Sequence, residues 1–281
     1  MTATWLDPPL TAVRQVVARA LEEDLGVFGD VTSSLVPVTA TVGASLVARA
    51  PGVLAGRLAA SETFATVDPA IRVQWSVADG DRVEAGRVLA HVDGPLASVL
   101  TAERTALNLL SHLSGVATLT RRFVDAAGLT TRIRDTRKTT PGLRALEKAA
   151  VRAGGGVNHR ASLADGILLK DNHLAGISIE AALVEAKRRW PGLPCEVECD
   201  TLDQVRVAVA AGADVILLDN MDAAGVAAAV HLVGGRVPIE VSGRVTLETV
   251  AGFAAAGANL ISVGALTHSA PALDIGLDLE P

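Results

Sequence analysis

In the second half of the chain, short apolar runs alternate with alanine- and valine-rich stretches, and this beat restricts the fold more than any other feature. The runs fall at 195–199, 215–218, 238–241 and 260–263, with helical stretches at 202–211, 223–232 and 246–256 between them. That alternation builds βαβ units around a parallel sheet. A polar or small residue closes each run: Glu198, Asp219, Ser242 and Gly264. Two earlier runs, 130–133 and 166–169, exit at Arg137 and Lys170, which places six exits on one rim. Side-chain alternation puts Glu196 with Glu198 on one face, as it does Glu240 with Ser242, while Cys195, Val197 and Cys199 face away. Carboxylates aimed into a barrel mouth are costly unless they bind something. The strands number six, or seven if 157–159 forms one, fewer than the eight that close a (β/α) barrel. The expectation is an open α/β barrel whose gap another domain or subunit covers.

The chemistry concentrates in 132–174. A polar turn carries Arg134, Asp135, Arg137 and Lys138, and Pro141 and Gly142 punctuate it. Helical spacing spans 143–153, and Gly154 to Gly156 stop it before the cluster Asn158-His159-Arg160. Ligands of α/β proteins bind where strands end, so Arg137, Lys138, His159, Arg160 and Lys170 predict an anion site. The chain has 21 arginines and four lysines, and two of those lysines stand in this set, as a need for a compact point charge would require. Ser242-Gly243 and Val263-Gly264-Ala265 follow the last two strands, where backbone N–H groups hold phosphate. Opposite them, Glu198 and Asp219 are placed for a divalent cation or sugar hydroxyls, the plainer reading being an ion pair with Lys170.

The first half reads differently. Residues 10–25 form an amphipathic helix, 42–48 and 71–77 alternate like strands, and 60–66 is helical. Residues 77–94 resemble the β-hairpin repeat of biotinyl and lipoyl carrier domains. Such carriers need a lysine at a hairpin tip, and the first lysine here is Lys138, so only the β-architecture survives. Residues 100–113 are strongly helical with Glu103-Arg104 exposed, and on these residues alone Arg104 is a solvated charge. A second half begins after Gly115.

Composition removes several function classes. Aromatics are 2% of the chain with no tyrosine, and the net charge is −6, which argues against nucleic-acid binding. Cys195 and Cys199 are too few for a disulfide framework or a four-cysteine zinc site. The start, MTATWLDPPL, lacks the pattern of a signal peptide, and no apolar run reaches eighteen residues, so no membrane span is expected. A cytoplasmic protein of one or two domains is the default expectation.

These motifs together carry a family resemblance. TAERTALN (101–108), DTRKTTPG (135–142), NHR (158–160), LLKDNH (168–173), EVE (196–198), LDN (218–220), EVSG (240–243) and SVGALTH (262–268) resemble quinolinate phosphoribosyltransferases, the decarboxylating nicotinate-nucleotide pyrophosphorylases of NAD synthesis. EEDLG (22–26) and GDVT (29–32) extend the likeness over almost the whole chain. The resemblance implies an N-terminal α/β sandwich domain, 1–113 joined by about 270–281, and an open α/β barrel at 114–269. It implies that quinolinate and phosphoribosyl pyrophosphate bind Arg104, Thr136, Arg137, Lys138, His159, Arg160 and Lys170. Glu198 and Asp219 would hold the ribose hydroxyls and Mg2+, directly or through water or pyrophosphate. Ser242, Gly243, Arg244, Val263, Gly264 and Ala265 would hold the 5′-phosphate, and Lys138, Lys170, Glu198 and Asp219 would be catalytic. It also implies a homodimer in which Arg104 enters the neighbouring subunit's site, with a higher assembly of dimers left open. One departure stands out: the family has two glycines after the serine, whereas Gly243 is followed by Arg244. Two other readings remain at this point, a paralogous transferase for a base such as nicotinate and a non-catalytic phosphate-ligand sensor.

Overall fold

The computed structural model describes residues 5–280; residues 1–4 and 281, which fall within the range expected for the first domain, lie outside the described residues. The chain separates into two compact units. One comprises the residues through 121, 139–155 and those from 266 onward; the other comprises 122–138 and 156–265.

The chain begins with α1 (Leu10–Leu25), whose Val13, Val17 and Leu21 recur every four residues and are buried on one stripe. There follow β1 (Thr41–Ala48), β2 (Gly52–Val53), α2 (Arg57–Val67), β3 (Arg72–Trp75), β4 (Arg82–Val83) and β5 (Val88–Pro95). Helix α3 (Leu96–Ala127) is 32 residues long and runs straight through Gly115, past the end at 113 expected from the sequence. The reason is tertiary. A Cβ at 115 would lie 2.1 Å from the Pro271 carbonyl oxygen, so this glycine serves close approach and does not end the helix.

Next come β6 (Arg132–Arg134), α4 (Arg144–Ala153), β7 (Ile167–Leu169), α5 (Asp171–Leu174), α6 (Ile179–Arg189) and β8 (Cys195–Cys199). The chain continues with α7 (Leu202–Ala210), β9 (Val215–Asp219), α8 (Ala223–Val233), β10 (Ile239–Ser242) and α9 (Val250–Ala255). It ends with β11 (Leu260–Ser262), α10 (Ala265–His268) and β12 (Ile275–Leu279).

In the first unit an antiparallel sheet has the order β12-β1-β5-β3, and β2 pairs with β4 beside it. Strand β12 joins from the far end of the sequence, with Ala44 opposite Leu279. Leu46, Leu89 and Val92 of this sheet are fully buried against Phe64 of α2 and Leu110 of α3. Helix α4 groups with this unit.

The second unit holds a six-stranded sheet, β6-β11-β10-β9-β8-β7, in which every pairing is parallel. The two edge strands, β6 and β7, do not pair with each other, so the barrel is open as expected. The candidate seventh strand at 157–159 shrinks to one bridge between Val157 and Arg134. Its continuation is taken by a side chain: the His159 N–H donates to the Asp135 carboxylate at 2.7 Å rather than to a neighbouring strand. The alternation in β8 and β9 is as read. Cys195, Val197, Cys199, Ile216 and Leu218 are fully buried, while Glu198 and Asp219 on the opposite face keep some exposure. Burial pushes the Cys199 thiol up to about 12, which leaves it inert. Helices α7 and α8 start on side-chain caps from Thr201 and Asp222.

Candidate active site

The carboxyl ends of the parallel strands open into a cavity of about 420 Å³. All its lining residues belong to the second unit: Thr136, Arg137 and Lys138 after β6, His159 and Arg160, Leu168 and Lys170 at β7, Leu217 and Asp219 of β9, Glu240 and Ser242 of β10, and Ser262 of β11.

Asp135 organises one wall. It is fully buried and accepts from Asn158 Nδ2 at 2.6 Å and from the His159 N–H at 2.7 Å, which fixes the Asn-His-Arg segment against the exit of β6. The Arg160 N–H then donates to His159 Nδ1 at 2.7 Å, and Arg160 Nη1 donates to the Gly166 carbonyl at 2.9 Å. Burial, and next the charge of Arg137, lower the proton affinity of the Arg160 guanidinium. Like charges crowded in this way are stabilised by an anion between them.

Below the cations lies a buried polar layer. Glu240, fully buried, accepts from Arg134 on one carboxylate oxygen and from the Ser262 hydroxyl on the other. His159 Nε2 stands 3.0 Å from Glu196 and 3.7 Å from Glu240. Burial and then the charge of Glu196 raise the Glu240 carboxyl above the usual range, against the pull of Arg134. Among the described residues, His159, Glu196 and Glu240 are the group of three metal-ligand side chains that come together. Glu198 and Asp219 do not enter such a group.

At the exit of β7 Lys170 pairs with Glu198. The plainer reading of Glu198 is therefore realised in this conformation, and Glu198 itself does not line the cavity. Asp219 accepts from Asn220 Nδ2 at 2.6 Å, while the Asn220 N–H donates to the Ser242 carbonyl at 3.2 Å and ties two strand exits together. Gly243 has φ +89°, and a Cβ there would meet Asn220 Oδ1 at 2.4 Å, so only glycine fits. Arg244, exposed, keeps a positive φ of +33°. This left-handed backbone costs a residue other than glycine about 1 kcal/mol.

The sequence-predicted residues thus fall into two sets. Thr136, Arg137, Lys138, His159, Arg160, Lys170, Asp219 and Ser242 line one cavity. Glu198, Gly243, Arg244, Val263, Gly264 and Ala265 do not line it. Val263 is buried and its N–H already donates to the Arg134 carbonyl at 2.9 Å, so that group is not offered to a phosphate. Arg104 belongs to the first unit, exposed on α3 with Glu103 at 3.7 Å. Glu240 lines the cavity and Glu196 lies beneath it, on the face that strand parity assigned to both, although neither was carried into the candidate site. Leu168, Leu217 and Ser262 were not singled out as lining residues, nor was Arg134 beneath them.

An open parallel α/β barrel with four cations and a carboxylate lining the cavity at its strand exits belongs to the class that binds polyanionic phosphate ligands there. The comparisons then narrow the class. Residues 30–114 match the N-terminal domain, and residues 116–278 the C-terminal domain, of quinolinate phosphoribosyl transferase. The chain belongs to the quinolinate phosphoribosyl transferase family. It is 47% identical to the nicotinate-nucleotide pyrophosphorylase [carboxylating] of Mycobacterium leprae, over 97% of this chain and 99% of that one. The probable enzyme of the same name from Bacillus subtilis is 44% identical, over 92% of this chain and 90% of that one. The solved nicotinate-nucleotide pyrophosphorylase of Francisella tularensis superposes with a TM-score of 0.94 at 36% identity, covering 100% of both chains.

Proposed function

We propose that the protein transfers phosphoribosyl from phosphoribosyl pyrophosphate to quinolinate with decarboxylation, giving nicotinate mononucleotide, pyrophosphate and carbon dioxide. The observation that carries this reading is the set Arg137, Lys138, Arg160 and Lys170 on one cavity. Four cations exceed what a monocarboxylate base needs and suit a dicarboxylate beside a phosphorylated sugar.

The chain's residues divide the work. Arg137, Arg160 and the two lysines hold the ring carboxylates and draw the polyanionic substrate in. Asp219, with Glu198 once Lys170 turns from it toward the substrate, faces the ribose. As the bond from the anomeric carbon to pyrophosphate breaks, positive charge on the ribose is stabilised by these carboxylates. The pyridine nitrogen bonds to that carbon and becomes cationic. The adjacent carboxylate leaves as carbon dioxide, its electron pair staying on the ring carbon, which then takes a proton. A lysine ammonium beside that carbon, from Lys138 or Lys170, stabilises the pair. The hard oxygen donors of Glu198 and Asp219 fit Mg2+ in kind. When bound, this ion neutralises charge on the departing pyrophosphate.

The working unit we propose is a homodimer in which Arg104 enters the neighbouring site. In the first unit, Val27, Phe28, Val31 and Leu35 are largely exposed. The Asp30 carboxylate accepts from Thr101 of α3 at 3.0 Å, which fixes this apolar segment three residues from Arg104. An exposed apolar segment beside an exposed arginine is what a subunit interface requires. No described helix is long and apolar enough to cross a membrane. A cytoplasmic location is part of the same proposal.

The test is incubation with phosphoribosyl pyrophosphate, magnesium and either quinolinate or nicotinate. Carbon dioxide and nicotinate mononucleotide are expected with quinolinate. Product from nicotinate alone would move the protein to the other base, and no product from either would leave a binding protein.

A further inference from the structure

His159 lines the cavity, yet both of its ring nitrogens are engaged within the protein. Nδ1 accepts the Arg160 N–H at 2.7 Å, so the ring hydrogen sits on Nε2. Nε2, which then carries the hydrogen, lies 3.0 Å from a Glu196 carboxylate oxygen, within reach of donating to it. What His159 turns to the cavity is ring carbon and π surface, not a proton donor for a carboxylate.

We propose that Glu196 is a positioning residue acting through His159: it fixes the Nε2–H tautomer and holds the imidazole as a flat, non-ionic wall for the planar aromatic substrate. The proposal rests on the reading of quinolinate as that substrate. Three features make the wall rigid. Glu196 is itself about nine-tenths buried, with 6% exposure, so its carboxylate has little freedom to find other partners. Its Oε1 is buried without a hydrogen-bond partner, which concentrates its accepting capacity on the His159 side. Glu240, the other carboxylate near Nε2, is already committed to Arg134 and Ser262, so it does not compete for the ring. The backbone explains the direction of the arrangement: Asp135 fixes the His159 N–H, and the next N–H, that of Arg160, points at Nδ1.

The same geometry weighs against a metal at His159, Glu196 and Glu240. A metal on Nε2 needs that nitrogen's lone pair, which would move the ring hydrogen to Nδ1, against the Arg160 N–H. The group is therefore built as a hydrogen-bonded support and not as a cation cage.

The tautomer is read by ¹⁵N-detected NMR of the histidine side chains in the intact protein, with the His159 signals assigned by their loss in His159→Gln. The expected result is the Nε2–H tautomer, with the Nε2 proton losing its hydrogen-bonded shift in Glu196→Ala. In steady-state kinetics Glu196→Ala is expected to raise KM for quinolinate about tenfold, as loss of one charge-assisted hydrogen bond would, with KM for phosphoribosyl pyrophosphate moving less than about twofold. Glu196→Gln keeps an acceptor oxygen and is expected to restore KM to within about threefold of wild type. This variant decides the matter if Glu196→Ala does not fold. An Nδ1–H tautomer in the wild type, or a rise of about tenfold or more in KM for quinolinate in Glu196→Gln, would overturn the proposal. A wild type inactive on quinolinate but showing the Nε2–H tautomer, with its hydrogen-bonded shift lost in Glu196→Ala, would sink the proposed substrate, and with it the wall's role, while leaving the contact between His159 and Glu196 in place.

Discussion

Asp79 gives the sharpest test of the energetics. It sits in the loop before β4 and caps α2 from outside, accepting the Gly56 and Arg57 N–H groups, each at 3.3 Å. Those bonds are long, and burial outweighs them, pushing the carboxyl from 3.8 up to about 6. The folded state therefore holds the Asp79 proton more tightly than the unfolded chain does. The resulting stability is fully present below about pH 4, is lost as pH rises toward 6, and stays lost above. At 1.36 kcal/mol per tenfold change in proton affinity, the rise amounts to about 3 kcal/mol. Asparagine removes the titration, but its amide nitrogen cannot accept, so one of the two N–H bonds is lost at every pH. The stability of Asp79→Asn relative to wild type is thus expected to rise by about 2–3 kcal/mol between pH 4 and pH 8. Urea denaturation of both proteins at several values between pH 4 and 8 measures this. Taking the difference between them cancels the carboxylates whose affinity is lowered, such as Asp30, Asp68 and Glu280. A stability difference that stays flat across that range would show that burial does not govern this carboxyl.

Four further outcomes are expected. Lys138→Ala and Lys170→Ala should each lower turnover at least ~100-fold, about 3 kcal/mol of lost charge stabilisation, without loss of the far-ultraviolet dichroism of the fold. Near-normal turnover in both would remove the lysines from the mechanism. Activity should vanish in excess chelator and return with magnesium, while Glu198→Gln or Asp219→Asn should raise the magnesium concentration needed for half activity. Arg104→Ala and Lys138→Ala should each be nearly inactive alone, and a mixed dimer should recover about half of wild-type activity, because one site collects both defects. Proof of subunit exchange by mass without any recovery would place Arg104 in its own chain's chemistry. Gly115→Ala should lower stability by several kcal/mol in thermal melts, because its methyl group would collide with the Pro271 carbonyl. A melting temperature within a degree of wild type would mean that α3 can shift freely there.

What could be read from the sequence follows a physical divide. The βα beat was legible because buried parallel strands are short, apolar and evenly spaced, and the bounds of β8 came out to the residue. Arg137, Lys138, Arg160 and Lys170 were legible because a cation after an apolar run marks a strand exit. The end of α3 was not legible at 113, because nothing local shows how far the helix runs, and the reason for a glycine at 115, Pro271, lies more than 150 residues away. Parity gave the face of Glu240 but not its partners, Arg134 and Ser262, because the three residues come from three different strands. Spacing along one strand reveals the face a side chain takes but not what faces it. The positive φ of Arg244 was likewise hidden, since no residue other than glycine or asparagine announces such a conformation.

The pairing of β1 with β12 bears on how the chain is made. More than two hundred residues separate Ala48 from its partner Ile275. At ~5–20 residues per second, roughly 10–50 s of synthesis pass before β12 leaves the ribosome. The six strands of the parallel sheet lie between Arg132 and Ser262 and are all in hand before that moment. The unit that begins first is therefore the one completed last. During that interval β1, already paired with β5 on one side, presents its other edge as an open template for strands of neighbouring nascent chains. Production of the protein on crowded polysomes should therefore be limited by that edge, whatever the stability of the finished molecule.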